Sequence, residues 1–235
     1  MLNKLSILFS LIALAMLGAC ECVPEIAGPK QVTPGESADV LFVHAMPDQP
    51  RMEIESSGYT VTSEFAYDDD TFDYYQIGAG ANNIRLISPN GSTMFNGVVD
   101  FSKGMDYTLV MYGGGSKLRT LVMKDQVDGI APEWAYIRYA HVAGGTGEVK
   151  FEVGGDTPAE YQNLTFRNKS EFQAIWPGNY PVRIYNATTK ELIIELPAQK
   201  IQAGRLYTLV LRGDVSSGSE RPIECLIIRT SPPLE

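Results

Sequence analysis

Two short apolar runs decide the fold of this chain: Val40-Leu41-Phe42-Val43-His44-Ala45 and Ile137-Arg138-Tyr139-Ala140-His141-Val142. Both are rich in β-branched and aromatic residues, the composition that favours strands. Each run carries one histidine near its end, and these two histidines stand 97 positions apart. The pair predicts equivalent strands in a repeated unit.

The correspondence extends outward from these runs. Met52–Glu55 falls on Val149–Glu152 at the same offset, and Gly104–Val110 falls on Gly204–Val210 at an offset of 100. The offset drifts by only three positions, as insertions in loops would produce. Because a fixed period marks a repeated structural unit, the sequence predicts two copies of one domain.

Turn residues separate short strand-like segments in both copies. Ser88-Pro89-Asn90-Gly91-Ser92 contains the Asn-Gly signal of a β-hairpin, and Asn186–Lys190 is its counterpart. Such short strands are typical of an all-β sandwich. The predicted fold is therefore all-β, with two tandem immunoglobulin-like or Greek-key β-sandwich domains after a signal peptide and a tether. The predicted domains span residues 36–128 and 135–235, joined by a linker at 129–134.

A family resemblance supports this organisation. The segment His44-Ala45-Met46-Pro47-Asp48-Gln49-Pro50 resembles the opening motif of the domain-of-unknown-function 4397 family, and Gly104–Leu109 and Gly204–Leu209 are similar to its later Gly-x-x-Tyr-Thr-Val motif. The second copy departs from the first motif at Val142–Gly145. The resemblance implies a β-sandwich module of an exported protein, and it implies no activity.

The N-terminal segment has the layout of a secretory signal. Lys4 is followed by an apolar run from Leu5 to Leu17 and then by Gly18, Ala19 and Cys20. A bilayer core of roughly 30 Å takes about 20 helical residues, so this run is too short for a membrane span.

The segment Leu17–Cys20 resembles the lipobox of bacterial lipoproteins. The resemblance implies cleavage after a signal peptide of residues 1–19 and a membrane anchor of lipid on Cys20, with residues 20–35 as a Pro/Gly-rich tether. Glu21 favours the outer membrane of a diderm bacterium, on its periplasmic or surface face. Export permits a disulfide between Cys22 and Cys225, and the sequence leaves that pairing open.

Composition excludes some functions. The formal net charge of −9 disfavours nucleic-acid binding, which needs an excess of Lys and Arg. No Cys/His cluster has zinc spacing and no Gly-x-Ser-x-Gly elbow is present, so neither a metal site, a cofactor nor a catalytic set is predicted. The repeated histidines are interpreted as structural, with rings hydrogen-bonded to loop backbone.

The segment from Phe65 to Tyr75 holds five aromatics and four Asp within eleven residues. Its aromatics and carboxylates could bind a sugar, and its acidic run could hold Ca²⁺. The alternative is a solvated loop whose aromatics belong to the core. Trp176 is either a ligand platform or a packing residue. The candidate ligand-binding residues are Tyr67, Asp68, Asp69, Asp70, Asp73, Tyr74 and Trp176.

These features predict a lipid-anchored envelope protein with no catalytic activity, acting as a binding or scaffolding module. Its expected partners are a membrane, through the N-terminal lipid, and a glycan or an envelope protein. A Ca²⁺-dependent adhesion unit is the alternative, and a hydrolase is the least favoured.

Overall fold

The computed structural model describes residues 36–69, 72–114, 117–154, 159–215 and 221–230. The predicted signal peptide and tether, residues 1–35, lie outside the described residues. Within the described ranges the chain forms strands and no helix, so none of its described segments is a helix able to span a bilayer. The strands are β1 (Ser37–Ala45), β2 (Met52–Ser56), β3 (Tyr59–Phe65), β4 (Tyr74–Gly78), β5 (Gly80–Ile87), β6 (Thr93–Phe101), β7 (Asp106–Tyr112), β8 (Arg119–Lys124), β9 (Ala135–His141), β10 (Val149–Val153), β11 (Ala159–Leu164), β12 (Asn168–Lys169), β13 (Gln173–Ile175), β14 (Gly178–Asn186), β15 (Leu192–Ile201), β16 (Leu206–Arg212) and β17 (Glu224–Arg229).

The first half of the fold, β1 to β8, is a β-sandwich. One sheet has the order β4-β1-β7-β8 and the other the order β3-β2-β5-β6. Strand alternation places Val40 and Phe42 of β1 on the inner face, where they pack with Ile54 and Leu86 of the opposite sheet. This core confirms the predicted inward face of β1.

The second half, β9 to β17, is built in the same way. Its sheets have the orders β12-β9-β16-β17, with β13 also pairing with β9, and β11-β10-β14-β15. Ile137 and Tyr139 face the core, where they pack with Phe151 and Ile184. The predicted all-β sandwich architecture is confirmed.

In the described part of each half, one strand pair is parallel. β1 pairs with β7 in parallel, from Asp39↔Asp106 to Ala45↔Tyr112. β9 pairs with β16 in parallel, from Tyr136↔Leu206 to His141↔Leu211. The remaining strand pairs within the described residues are antiparallel.

The predicted hairpin turns are present. Asn90 and Gly91 connect β5 to β6, and Gly91 has the positive φ of 82° that such turns require. Asn186 starts the turn from β14 to β15, where its side-chain oxygen accepts hydrogen bonds from the amides of Thr188 and Thr189.

The two halves pack through the sheets that contain β1 and β9. Leu41, Val43 and Val110 of the first half meet Ala140 and Val210 of the second in a continuous buried cluster. β1 and β9 are therefore buried on both faces, which explains why their sequences are nearly continuous apolar runs. The described residues belong to one compact unit.

Candidate functional site

The most exposed aromatic feature is a pair of tryptophans at one edge of the second half. Trp134 precedes β9 and Trp176 follows β13, and the pairing of Ala135 with Ile175 brings the two indoles side by side. Their ring centroids are 4.0 Å apart and their planes are inclined by 30°. Trp176 is 59% exposed. The pair therefore presents aromatic surface to solvent, and the larger exposed fraction belongs to Trp176.

The backbone around this pair is held firmly. The amide of Trp134 donates to the carbonyl of Ala131 at 3.1 Å, and its carbonyl accepts from the amide of Gly204 at 2.7 Å. The hydroxyl of Tyr136 accepts from the amide of Ala131 at 3.0 Å. We call Trp134 and Trp176 the Trp platform, and these bonds fix the backbone on its Trp134 side.

A cleft of about 570 Å³ lies between the two halves along the same edge. Its volume is within the range of small-molecule sites, roughly 300–1,000 Å³. We call it the interface cleft. It is lined by Asp100, Ser102, Tyr107, Val122, Lys124, Gln126, Arg138, Lys169, Ser170 and Glu171.

Lys169 spans the interface cleft. Its ammonium donates to the carbonyl of Val122 in the first half at 2.9 Å. Burial lowers the pKa of Lys169, and the nearby Arg138 guanidinium lowers it further. Beside it, the guanidinium of Arg138 lies 4.5 Å from the ring centroid of Phe172.

A buried polar network forms the base of the cleft. Arg138 forms a salt bridge with Asp125, and it donates to the hydroxyl of Thr208 at 2.9 Å and to the carbonyl of Lys124 at 2.5 Å. Burial raises the pKa of the Asp125 carboxyl, and the Arg138 guanidinium opposes this shift. All three guanidinium nitrogens of Arg138 have partners, and such additional hydrogen bonds are the condition under which a buried ion pair is tolerated.

Tyr74, a predicted ligand-binding residue, belongs to this network instead of facing solvent. Its hydroxyl donates to the Asp125 carboxylate at 2.6 Å and also contacts the carbonyl of Thr230. Thr108 donates to the same carboxylate at 2.7 Å. Burial raises the pKa of the Tyr74 hydroxyl, as does the adjacent Asp125 charge. Its role in this structure is to join the two halves.

Tyr67, the other predicted tyrosine, is buried. The guanidinium of Arg212 lies 3.9 Å from its ring centroid, and His44 packs against it edge-on at 5.8 Å. Asp68, one residue on, is exposed and forms an ion pair with both terminal nitrogens of Arg221. Phe65 and Tyr67 are therefore buried, as the alternative interpretation predicted, while Phe72, Tyr74 and Tyr75 are half-buried and Asp68 is engaged at the surface.

The remaining acidic residues of this segment lie apart from the Trp platform. Asp69 and Asp73 line a small pocket with Phe42, Thr62 and Tyr75, and Asp70 lies outside the described residues. In the described part of the chain, no three His, Cys, Asp or Glu side chains cluster as they would around a metal ion.

Both histidines have the structural surroundings that the sequence predicted. His44 accepts a hydrogen bond from the amide of Met46 at 3.3 Å, and His141 Nε2 lies 2.8 Å from the carbonyl oxygen of Gly147. Burial lowers the pKa of His44 to about 4, and it lowers the pKa of His141 as well. Thr146 contacts His141 at 3.2 Å, and both side chains are buried.

Cys225 is buried on β17. Burial raises the pKa of its thiol to about 12. Its predicted partner Cys22 and the predicted lipid acceptor Cys20 both lie outside the described residues.

Sequence reasoning missed the interface cleft. The one sequence feature that pointed to the cleft is Arg138, a charged residue within the otherwise apolar run of β9. Such a charge predicts an oppositely charged partner on the face of β9 opposite Ile137 and Tyr139. Lys169 and Gln126 carry no comparable signal, because only the packing of the halves brings them together.

Comparison with known proteins gives one family match. The model of a family described as Domain of unknown function (DUF4397) matches residues 38–152, from β1 into β10. The match confirms the resemblance that the residues around His44 indicated, and it ends before most of the second half. No curated protein matches the chain.

Three solved structures have distant similarity to this chain. They include a family 26 carbohydrate-binding module from Eubacterium rectale, in complex with maltoheptaose (9% identity, 83% of this chain and 98% of that one, TM-score 0.27). Another is a candidate cell adhesion protein from Bacteroides uniformis (8% identity, 84% of this chain and 98% of that one, TM-score 0.26). A third is a candidate adhesin from Bacteroides ovatus (8% identity, 82% of this chain and 92% of that one, TM-score 0.25). Similarity at this level says nothing about the ligand of this chain.

Proposed function

We propose that this protein is a lipid-anchored module of a bacterial cell envelope that binds a glycan or an envelope protein without catalysis. The observation that supports the binding role is the Trp platform, because Trp176 is 59% exposed while its ring stacks on Trp134. Exposed apolar surface of this kind marks interaction sites, and tryptophan is enriched in them.

The histidines give little support to the hydrolase alternative. Catalysis needs a base within reach of both a nucleophile and a substrate. His44 and His141 are instead buried and bonded to backbone at the ends of β1 and β9. A non-catalytic role accounts for both residues without further groups.

A duplication accounts for the two halves. We propose that residues 36–128 and 135–235 are copies of one β-sandwich domain, joined by the linker at 129–134. Equivalent parallel pairs, β1 with β7 and β9 with β16, support this proposal, as do the buried histidines at equivalent places.

Lipid attachment rests on Leu17–Cys20 alone. Metabolic labelling with an alkyne-bearing palmitate tests it directly. We expect label on the wild-type chain in the outer-membrane fraction and none on Cys20→Ser, with Cys225→Ser as the control that keeps its label. Equal labelling of Cys20→Ser would contradict the anchor.

Binding is tested with the full chain in detergent, on a glycan array and in crosslinking to envelope proteins. A ligand of either class whose binding weakens in Trp176→Ala supports the proposed role. Ligand binding that Trp176→Ala leaves unchanged would contradict the assignment to the Trp platform.

The Ca²⁺-dependent adhesion alternative depends on Asp68, Asp69 and Asp70. Arg221 already neutralises Asp68, which leaves less negative charge for a cation. We therefore expect the same melting temperature with millimolar Ca²⁺ and with a chelator, since only ligands that bind the folded state raise it. A Ca²⁺-dependent rise that Asp68→Asn abolishes would favour the adhesion unit.

A further inference from the structure

The Trp platform and the interface cleft lie along one edge of the second half. The segment from Lys169 to Ile175 runs antiparallel to β9, with Lys169 opposite Ala140 and Ile175 opposite Ala135. Ala135 and Ala140 are five positions apart on β9, a span of about 17 Å. Phe172 lies between them, beneath the Arg138 guanidinium.

The chemistry changes along this edge from aromatic to polar. At one end, the indole of Trp176 offers a flat apolar face. At the other, the cleft offers hydroxyl, amide, ammonium and carboxylate groups from Ser102, Gln126, Lys169 and Glu171. A sugar chain has the matching surfaces, because each ring has apolar C–H faces and a rim of hydroxyls that donate and accept hydrogen bonds.

The charges favour an uncharged ligand. Arg138 is neutralised by Asp125 at the base of the cleft. Of the remaining lining residues, Lys124 and Lys169 are balanced by Asp100 and Glu171. The formal net charge of the whole chain is −9, which repels polyanions at long range.

We propose that the edge from the Trp platform to the interface cleft is one extended site for an uncharged oligosaccharide. This inference rests on the proposed binding function and names its ligand class and site. Trp176 stacks on one sugar ring, and Lys169, Gln126 and Glu171 hydrogen-bond the hydroxyls of rings further along the chain. Because the site spans both halves, the packing of the halves is required for it to form.

The test uses the full chain in detergent and isothermal titration calorimetry with uncharged α- and β-linked hexasaccharides of glucose, xylose and mannose. Free glucose and a hexamer of galacturonic acid are the comparison ligands. We expect at least one uncharged hexasaccharide to bind, with glucose and the acidic hexamer at least tenfold weaker.

Variants locate the site. Trp176→Ala and Gln126→Ala each change an exposed residue, and each should weaken hexasaccharide binding about tenfold, which is 1.4 kcal/mol. Lys169→Met should do the same, and its melting temperature separates lost binding from lost packing. Leu192→Ala and Lys200→Met are matched controls on β15 of the outer sheet, and they should bind like the wild type.

The outcomes distinguish this inference from the proposed function. Hexasaccharide binding that is unchanged in Trp176→Ala and Gln126→Ala overturns the site and leaves glycan binding in place. Tighter binding of the galacturonic acid hexamer overturns the uncharged ligand class. Capture of an envelope protein with no glycan binding overturns this inference alone, and failure of both ligand classes overturns the proposed function too.

Discussion

The guanidinium of Arg138 in the second half pairs with the carboxylate of Asp125 in the first, and the two side chains are 3% and 0% exposed. The pair joins the halves at the base of the interface cleft. It lies beside the apolar cluster of Leu41, Val43 and Ala140, so that polar and apolar contacts hold the same interface.

Breaking this pair from one side should destabilise the protein strongly. Arg138→Met leaves the Asp125 carboxylate buried without its counter-ion, and we expect a loss of about 3–5 kcal/mol in the free energy of unfolding. Urea denaturation measures it. Asp125→Leu added to Arg138→Met should recover much of the loss, because no uncompensated charge then remains.

The matched control is the exposed pair of Arg51 and Glu64, whose side chains are 59% and 66% exposed. Glu64→Ala should cost no more than about 1 kcal/mol. A cost for Arg138→Met as small as that of Glu64→Ala would mean that the buried pair does not hold the halves together.

Tyr74→Phe separates the structural role of this residue from the ligand-binding role that the sequence suggested. The change removes the hydroxyl that donates to Asp125, and we expect a loss of about 1–3 kcal/mol in stability with ligand affinity unchanged. Tyr59→Phe on β3 serves as the control. If affinity fell while stability stayed constant, Tyr74 would belong to the ligand site.

The pH dependence of stability should reflect the buried His44. Its folded pKa of about 4 is below the ordinary 6.5, so the unfolded chain binds more protons between these values. Stability should therefore fall as the pH falls from 6.5 to about 4, by about 3 kcal/mol for this group, and should not depend on His44 above 6.5. His141, whose pKa burial also lowers, contributes in the same direction.

Asp106 opposes this trend. Burial raises its pKa to about 6, so its protonation favours the folded state as the pH falls. Comparing the pH dependence of stability in the wild type and in His44→Gln isolates the contribution of His44, because Asp106 is present in both proteins. We expect the variant to lose less stability on acidification, and parallel pH profiles would contradict the assignment.

Cys225 should be inert in the folded protein. Its thiol is buried and burial raises its pKa to about 12, so almost no thiolate is present at neutral pH. In a Cys20→Ser/Cys22→Ser chain, iodoacetamide should label Cys225 only in denaturant. Rapid labelling of the native protein would show that β17 opens, and lost stability in Cys22→Ser alone would favour a disulfide between Cys22 and Cys225.

Structural features that depend on residues within one short segment were predicted correctly from the sequence. The alternation of Val40, Phe42 and His44 identified the inner face of β1, and Asn90-Gly91 identified the hairpin from β5 to β6. Both depend on local properties, namely the two-residue period of a strand and the positive φ that a tight turn requires.

Candidate ligand residues were harder to predict, because exposure depends on which element covers a side chain. Tyr67, Tyr74 and Trp176 all appeared as aromatics near turn or polar residues. The structure buries Tyr67 beneath Arg212, holds the half-buried Tyr74 against Asp125, and leaves Trp176 exposed beside Trp134. The residues that cover the two tyrosines come from β16 and from the end of β8, far away in sequence.

By itself, the sequence determined the strand content, the hairpin turns and the inner faces of β1 and β9, because the strand period and turn chemistry are written in neighbouring residues. Only the tertiary structure decided the parallel pairing of β1 with β7 and of β9 with β16, the burial of both faces of β1, and the cleft between the halves. These features depend on contacts between distant segments. A buried Arg138 and an exposed Trp176 are therefore distinguished by the partners that packing brings to them.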